Sequence, residues 1–166
     1  MVYESAIRRK KNVIQDEEGN SIVIINEIIF KGKRNVNWKY VESYLKQYVG
    51  EFYTIGQTNE VIYLGTDMPD EYAHSEYTGS LKGTNAKAKA NAVQGLGEML
   101  EIAINENYKM NTKQKHSVDA ANGWYRYESR FALPVYGNNG KIQRYNVFRA
   151  HMIIRHDRNG KSIFMM

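Results

Sequence analysis

The chain has no cysteine. That absence excludes a disulfide framework, a thiol nucleophile and any cysteine-ligated zinc or iron–sulfur centre. Apolar runs are short, and none approaches the roughly 20 residues that cross a bilayer as a helix. No membrane partner is therefore expected. The first eleven residues, Met1 to Lys11, place no apolar stretch after their charges, so they do not read as a secretory signal. Nothing points outside the cell, and the expected location is the cytoplasm. Proline is scarce, with two residues, whereas tyrosine is abundant, with thirteen. Such aromatic weight fills a core or stacks on bases, and composition alone does not choose.

The 166 residues fit one domain, or one domain with a small appendage. Hydrophobic residues at 42% and charged residues at 25% are values of a globular chain rather than a disordered one. The net charge is +5 and the pI about 9.2.

Residues 1–20 are polar, end in the turn-like Asp16-Glu17-Glu18-Gly19-Asn20, and read as a flexible basic arm before a single domain over 21–166. The β-branched run Ser21–Phe30 predicts a strand. Asn37 caps a predicted helix over Trp38–Tyr48 that ends at Gly50. Phe52–Ile55 and Val61–Leu64 predict a hairpin. Asp67–Tyr72 reads as a loop opening a short helix. The longest predicted helix runs from about Asn85 to Tyr108, with Ala86, Ala90, Val93, Gly97, Leu100 and Ile104 in one apolar stripe. Residues 109–123 read as a polar loop. From residue 124 onward the pattern predicts a three-stranded antiparallel meander, its two turns marked by Asn-Gly pairs. The expected fold is therefore α+β, with the C-terminal meander sheet packed on helices.

Alternation within the last strands sorts the side chains by face. Tyr125, Tyr127, Phe131, Leu133 and Val135 share one side with Phe148, Ala150, Met152 and Ile154. Arg126, Glu128, Arg130, Arg149, His151 and Arg155 fall on the other, together with Trp124. Residues 124–161 hold eight bases and two acids, so this segment carries +6 and the rest of the chain −1. A basic sheet face interleaved with Trp and His is a surface for a nucleic-acid backbone, RNA before DNA; a solvated arginine-rich strand face is the plainer reading. Lys141, Arg144 and Arg149 extend the same basic footprint. Chemistry is available there too. Cleavage of RNA by its own 2′-hydroxyl needs a base, an acid and cations for the phosphorane, without metal or cofactor. Glu128 can serve as base, His151 or His116 as acid, and Arg126 and Arg130 as clamps. Against this, Glu128 can simply neutralise its arginine neighbours.

The remaining candidates carry less. His116 and Asp119 are two groups, too few for a metal site. Asp157-Arg158-Asn159-Gly160 lacks the later acidic ligand of a calcium loop and reads as a turn. His74 is expected at the surface, and His156 at the end of its strand in the core. Gly95-Leu96-Gly97 sits within a helical pattern rather than between strand and helix, so it is no phosphate loop. Tyr40, Tyr44 and Tyr48 form a helical stripe.

Several phrases, in order, carry a family resemblance: Trp38-Lys39-Tyr40-Val41-Glu42, Asp67-Met68-Pro69-Asp70-Glu71-Tyr72-Ala73, Ala86-Lys87-Ala88-Lys89-Ala90-Asn91-Ala92, Lys115-His116-Ser117-Val118-Asp119-Ala120, the run Gly123–Phe131 and the run Ile154–Lys161. Together, over roughly residues 21–164, they resemble the phage and conjugative-element domain of large polyvalent proteins, classed with barnase-, EndoU-, colicin- and RelE-type RNases. The resemblance implies helices on an antiparallel sheet whose open face holds the site, and it favours His116, Arg126, Glu128, Arg130 and Arg155. The family's usual Tyr-Asp pair in the last strand is replaced here by Lys161-Ser162-Ile163-Phe164-Met165-Met166. The expected function is a metal-independent RNase-like protein of a mobile element. The rival is an inactive phage-encoded inhibitor, anti-CRISPR-like, that grips a host nucleic acid or nucleoprotein; a structural accessory domain is a third class.

Overall fold

The longest apolar alternations lie near the C-terminus, and the two longest strands form there. The computed structural model describes residues 10–32, 35–109, 124–156 and 162–165. In chain order the elements are β1 (Asn12–Gln15), β2 (Ser21–Ile24), α1 (Trp38–Leu45) with a 3₁₀ turn at Lys46–Tyr48, β3 (Phe52–Thr54) and β4 (Val61–Tyr63). They continue with α2 (Met68–His74), α3 (Glu76–Ser80), α4 (Gly83–Ala92), a 3₁₀ turn at Val93–Gly95 and α5 (Leu96–Glu101). β5 (Ile104–Lys109), β6 (Trp124–Tyr136), β7 (Ile142–His156) and β8 (Ser162–Met165) complete the set. The protein is α+β, built on one mixed sheet of eight strands in the order β1-β2-β6-β7-β8-β4-β3, with β5 also pairing β6.

β6, β7 and β8 are sequential antiparallel neighbours. β2 joins β6 in parallel, and β4 joins β8 in parallel. β6 is the hub because two strands share its other edge. β5 pairs Trp124–Glu128, and β2 pairs Phe131 and Ala132. Ser129 and Arg130 lie at the fork, in register with neither of these strands.

The inner face of the sheet carries Tyr127, Phe131, Leu133, Met152 and Ile154, which bury against Leu96, Met99 and Leu100 of α5. A hydrogen bond from Ser129 Oγ to the Met99 carbonyl, 2.8 Å, pins helix to strand. α1 follows its sequence pattern: Asn37 Oδ1 accepts from the Tyr40 amide at 3.2 Å, and Val41, Leu45 and Tyr48 are buried. The tyrosine stripe divides, with Tyr48 in the core and Tyr40 54% exposed.

Four expectations change. Part of the basic arm is ordered: Asn12–Gln15 pairs antiparallel with Ser21–Ile24. The turn between them is fixed by Asp16, whose Oδ1 accepts from the Glu18 and Asn20 amides at 2.9 Å each, and by Gly19 at φ +83°. Residues 1–9 lie outside the described residues.

The strand predicted to reach Phe30 ends at Ile24. Beyond it, helix side chains replace strand partners. Asn91 Oδ1 accepts from the Ile29 and Phe30 amides, Asn91 Nδ2 donates to the Phe30 carbonyl, and Gln94 Nε2 donates to the Glu27 carbonyl. Backbone groups satisfied this way need no ladder.

The helix predicted over 85–108 is broken into α4, a 3₁₀ turn and α5, and its end is strand β5. The small residues mark tight approaches. A methyl group on Gly95 would lie 2.8 Å from Val23 Cγ1, and one on Gly97 would strike the Tyr53 ring. Asn105, at φ +58°, lies where β5 shifts register against β6. Asn tolerates that left-handed conformation better than most side chains. Gly95-Leu96-Gly97 accordingly spans the junction of the 3₁₀ turn and α5 rather than a helix interior. The polar loop over 109–123 and the Asp157–Gly160 turn fall outside the described residues, except Lys109, which closes β5.

Candidate nucleic-acid interface

The β6–β7 register sets the candidate site. Directly opposite residues of an antiparallel pair share a face. Glu128 faces His151, Arg130 faces Arg149, Arg126 faces Ile153, Trp124 faces Arg155 and Ala132 faces Val147. Of these, the pairs from Arg126–Ile153 to Ala132–Val147 stand on the side of the sheet away from Leu96, Met99 and Leu100. Val147 is 51% exposed, so this face opens to solvent at that end.

Arg144 does not belong to it. The register sets Arg144 opposite Val135, on the parity of the helix-facing residues, and it is exposed there. Lys141 closes the β6–β7 turn, where its amide donates to Asn139 Oδ1 at 3.0 Å and its carbonyl accepts from Gly137 at 2.9 Å. Both residues are peripheral to the Glu128–His151 centre. Arg155 has its backbone in β7. His116 lies outside the described residues.

Two of the predicted residues are held by groups that the sequence did not point to. Arg130 Nη2 donates to Asp16 Oδ2 at 2.8 Å. The Asn20 amide foremost, and then this guanidinium, hold the Asp16 carboxyl below its ordinary value. Glu128 Oε2 accepts from Asn105 Nδ2 at 3.0 Å. The Asp16 turn and the Asn105 kink thus close around the fork in β6. A cleft of about 320 Å³ results, lined by Glu18, Asn20, Asn105, Glu128, Arg130 and Arg149, among others. Among the described residues, Arg126, Arg149 and His151 have no hydrogen-bond or ion-pair partner, and Arg126, Arg149 and His151 are exposed. Two arginines directly opposite each other repel. Asp16 offsets one of them, and Arg149 keeps its five donors for an external acceptor.

Three further clusters escaped the sequence reading. The Tyr127 hydroxyl, from the inner face, reaches Glu60 Oε2 at 2.6 Å and also Glu106 Oε2. Burial first, then these two carboxylates, push its ionisation well above the usual phenol range. Glu42, Asp70 and His74 bring one ligand atom each within 4.8 Å of one another on α1 and α2, mostly exposed, with His74 Nε2 3.4 Å from Glu42 Oε2. Lys89, in the alanine-rich α4, is buried. Each needs partners from separate elements, and sequence spacing shows only that Asp70 and His74, four apart, share one face of α2.

No helix among the described residues is long and apolar enough to cross a membrane. A scan of family models gives no match to this chain, and neither do searches of curated proteins and of solved structures.

Proposed function

We propose that the outward face of β6 and β7 binds RNA and cleaves it without metal, in the manner of a barnase/RelE-like RNase domain of a mobile element. The observation that carries this reading is the pairing of Glu128 with His151 one step along the same face from Arg130 with Arg149. A carboxylate and an imidazole side by side supply a base and an acid. Guanidiniums beside them supply charge for a phosphorane. In this scheme Glu128 takes the 2′-hydroxyl proton and the freed oxygen attacks phosphorus. His151, protonated, gives its proton to the departing 5′-oxygen. A 2′,3′-cyclic phosphate and a 5′-hydroxyl end are the products. Arg149 and Arg126 hold the flanking phosphates.

A second reading rests on two contacts. Arg130 is engaged by Asp16, and Glu128 by Asn105, so both side chains are braced by the protein itself. A face so braced suits a binder that grips RNA or a nucleoprotein without cutting it.

Purified protein incubated with total RNA in EDTA separates the two. Products ending in cyclic phosphate support the nuclease. Salt-dependent retention without products supports the binder, because phosphate contacts release counterions. Neither cleavage nor retention removes both readings.

A further inference from the structure

A cavity of about 530 Å³ opens between the inner face of the sheet and helices α4 and α5. Its walls are chiefly apolar, with Phe131, Phe148 and Met152 from the sheet and Ala88, Leu96 and Met99 from the helices. The size lies within the usual range of small-molecule sites, about 300–1,000 Å³.

One polar group stands out in the lining. Lys89 is only 8% exposed. Its Nζ donates to Thr78 Oγ1 at 2.6 Å and lies 4.7 Å and 5.2 Å from the ring centroids of Tyr72 and Tyr77. Among the described residues no carboxylate pairs with it. Among the described residues the other titratable or charged groups lining the cavity are Tyr72, Tyr77, Arg126, Arg149 and His151, and none of them is an acid. Burial lowers the Lys89 ionisation to about 8, so the ammonium still predominates at neutral pH. A buried charge without a counter-charge is costly, and buried charges are ordinarily paired. Ring faces and one hydroxyl offset part of that cost.

We propose that the cavity binds a small amphiphilic monocarboxylate, with its apolar body between sheet and helices and its head on the Lys89 ammonium. A single carboxylate fits better than a phosphate. The Thr78 hydroxyl already donates to the Tyr72 carbonyl at 2.6 Å, so the donors left at this spot are the remaining N–H groups of one ammonium. Two carboxylate oxygens match them. A doubly charged phosphate would need further donors beside Lys89, and the cationic residues that also line the cavity, Arg126, Arg149 and His151, belong by register to the opposite face of the sheet. Arg126, Arg149 and His151 of the proposed RNA face also line the cavity, but the proposal rests on Lys89 and the apolar walls and does not require the RNA reading.

The probe is decanoate, titrated calorimetrically at pH 7 into the full chain, with decanol as the uncharged counterpart. The expected result is saturable one-to-one binding of decanoate and at least tenfold weaker binding of decanol. Lys89→Met should weaken decanoate at least tenfold while leaving decanol unchanged. Ala92→Met, which fills the wall and keeps the ammonium, should abolish binding of both. Should either variant fail to fold, NMR of the Lys89 Nζ in the unaltered chain decides: bound decanoate should raise its titration midpoint. No binding, equal affinity for decanoate and decanol, or an unmoved midpoint overturns the proposal.

Discussion

Glu128 and His151 stand directly opposite each other in the antiparallel register of β6 and β7. In that arrangement the Cβ atoms are about 4.5–5.5 Å apart, so a carboxylate and an imidazole can serve one substrate atom group. If they act as base and acid, Glu128→Gln and His151→Ala should each lower RNA cleavage by roughly 10²–10⁴-fold, the usual range for losing one positioned proton-transfer group. Retention of RNA on a filter should change little in either variant. Cleavage that survives both substitutions removes these residues from the mechanism.

Arg149 separates phosphate binding from chemistry. Having no protein partner among the described residues, it should contribute one phosphate contact. Arg149→Ala is expected to reduce the slope of log affinity against log salt by about 0.7–0.9. An unchanged slope means that phosphate does not reach this part of the face.

Asp16 ties the β1–β2 turn to Arg130. Its carboxyl ionises below the ordinary value, so its stabilising contribution is present above that value and is lost as the pH falls through the lowered one. Asp16→Asn should therefore destabilise at pH 7, and its gap to the unaltered chain should close as the pH falls through the lowered value. Urea midpoints across pH 2.5–7 measure the difference; a constant gap at all pH values contradicts the assignment.

Lys89 gives a slope of the same sign, in an alkaline window. Its ionisation lies near 8 in the folded chain against an ordinary 10.5, so between these values the unfolded chain holds more protons. Stability should rise with pH through that window, by up to about 3 kcal/mol from linkage. Lys89→Met should flatten the rise. It should not weaken the protein at pH 7, because Thr78 keeps its bonds to Ser75 and Tyr72. Melting curves at pH 7.5 and 10.5 on both proteins check this.

Gly97 meets the Tyr53 ring where α5 crosses β3. Gly97→Ala should cost about 1–3 kcal/mol through overpacking, despite the better helix propensity of alanine. Trimming Tyr53 to Val in the same chain should return part of it; additive losses in the double variant refute the contact.

Local patterns were legible wherever local forces decide. The β6–β7 hairpin, the Asn37 cap and the short hairpin over 52–64 follow from alternation, capping chemistry and turn residues close in sequence. The faces of β6 and β7 follow from parity. What was not legible depends on groups brought from afar. Ser21–Phe30 looks like one strand, yet Asn91 and Gln94, more than 60 residues on, take over its second half. The stripe over 85–108 keeps helical spacing through Ile104, yet Val23 and Tyr53 press on its glycines and β6 recruits its end as a strand. The braces on the site, Asp16 and Asn105, lie 114 and 23 residues from their partners, and no spacing rule links them.

The fork in β6 implies an order of assembly. The β6–β7 ribbon closes through one short turn, whereas β2 reaches Phe131 from Val23, 108 residues earlier. Loop closure over such a span costs entropy before any contact repays it, so the local ribbon should nucleate and the distant strands should dock onto it. Folding kinetics of conservative core truncations would then give high φ-values at Phe131 and Phe148 and low ones at Ile22 and Val23 of β2. The cleft at the fork is, on this account, among the last features to form, and its contents depend on the late arrival of the chain's first strands.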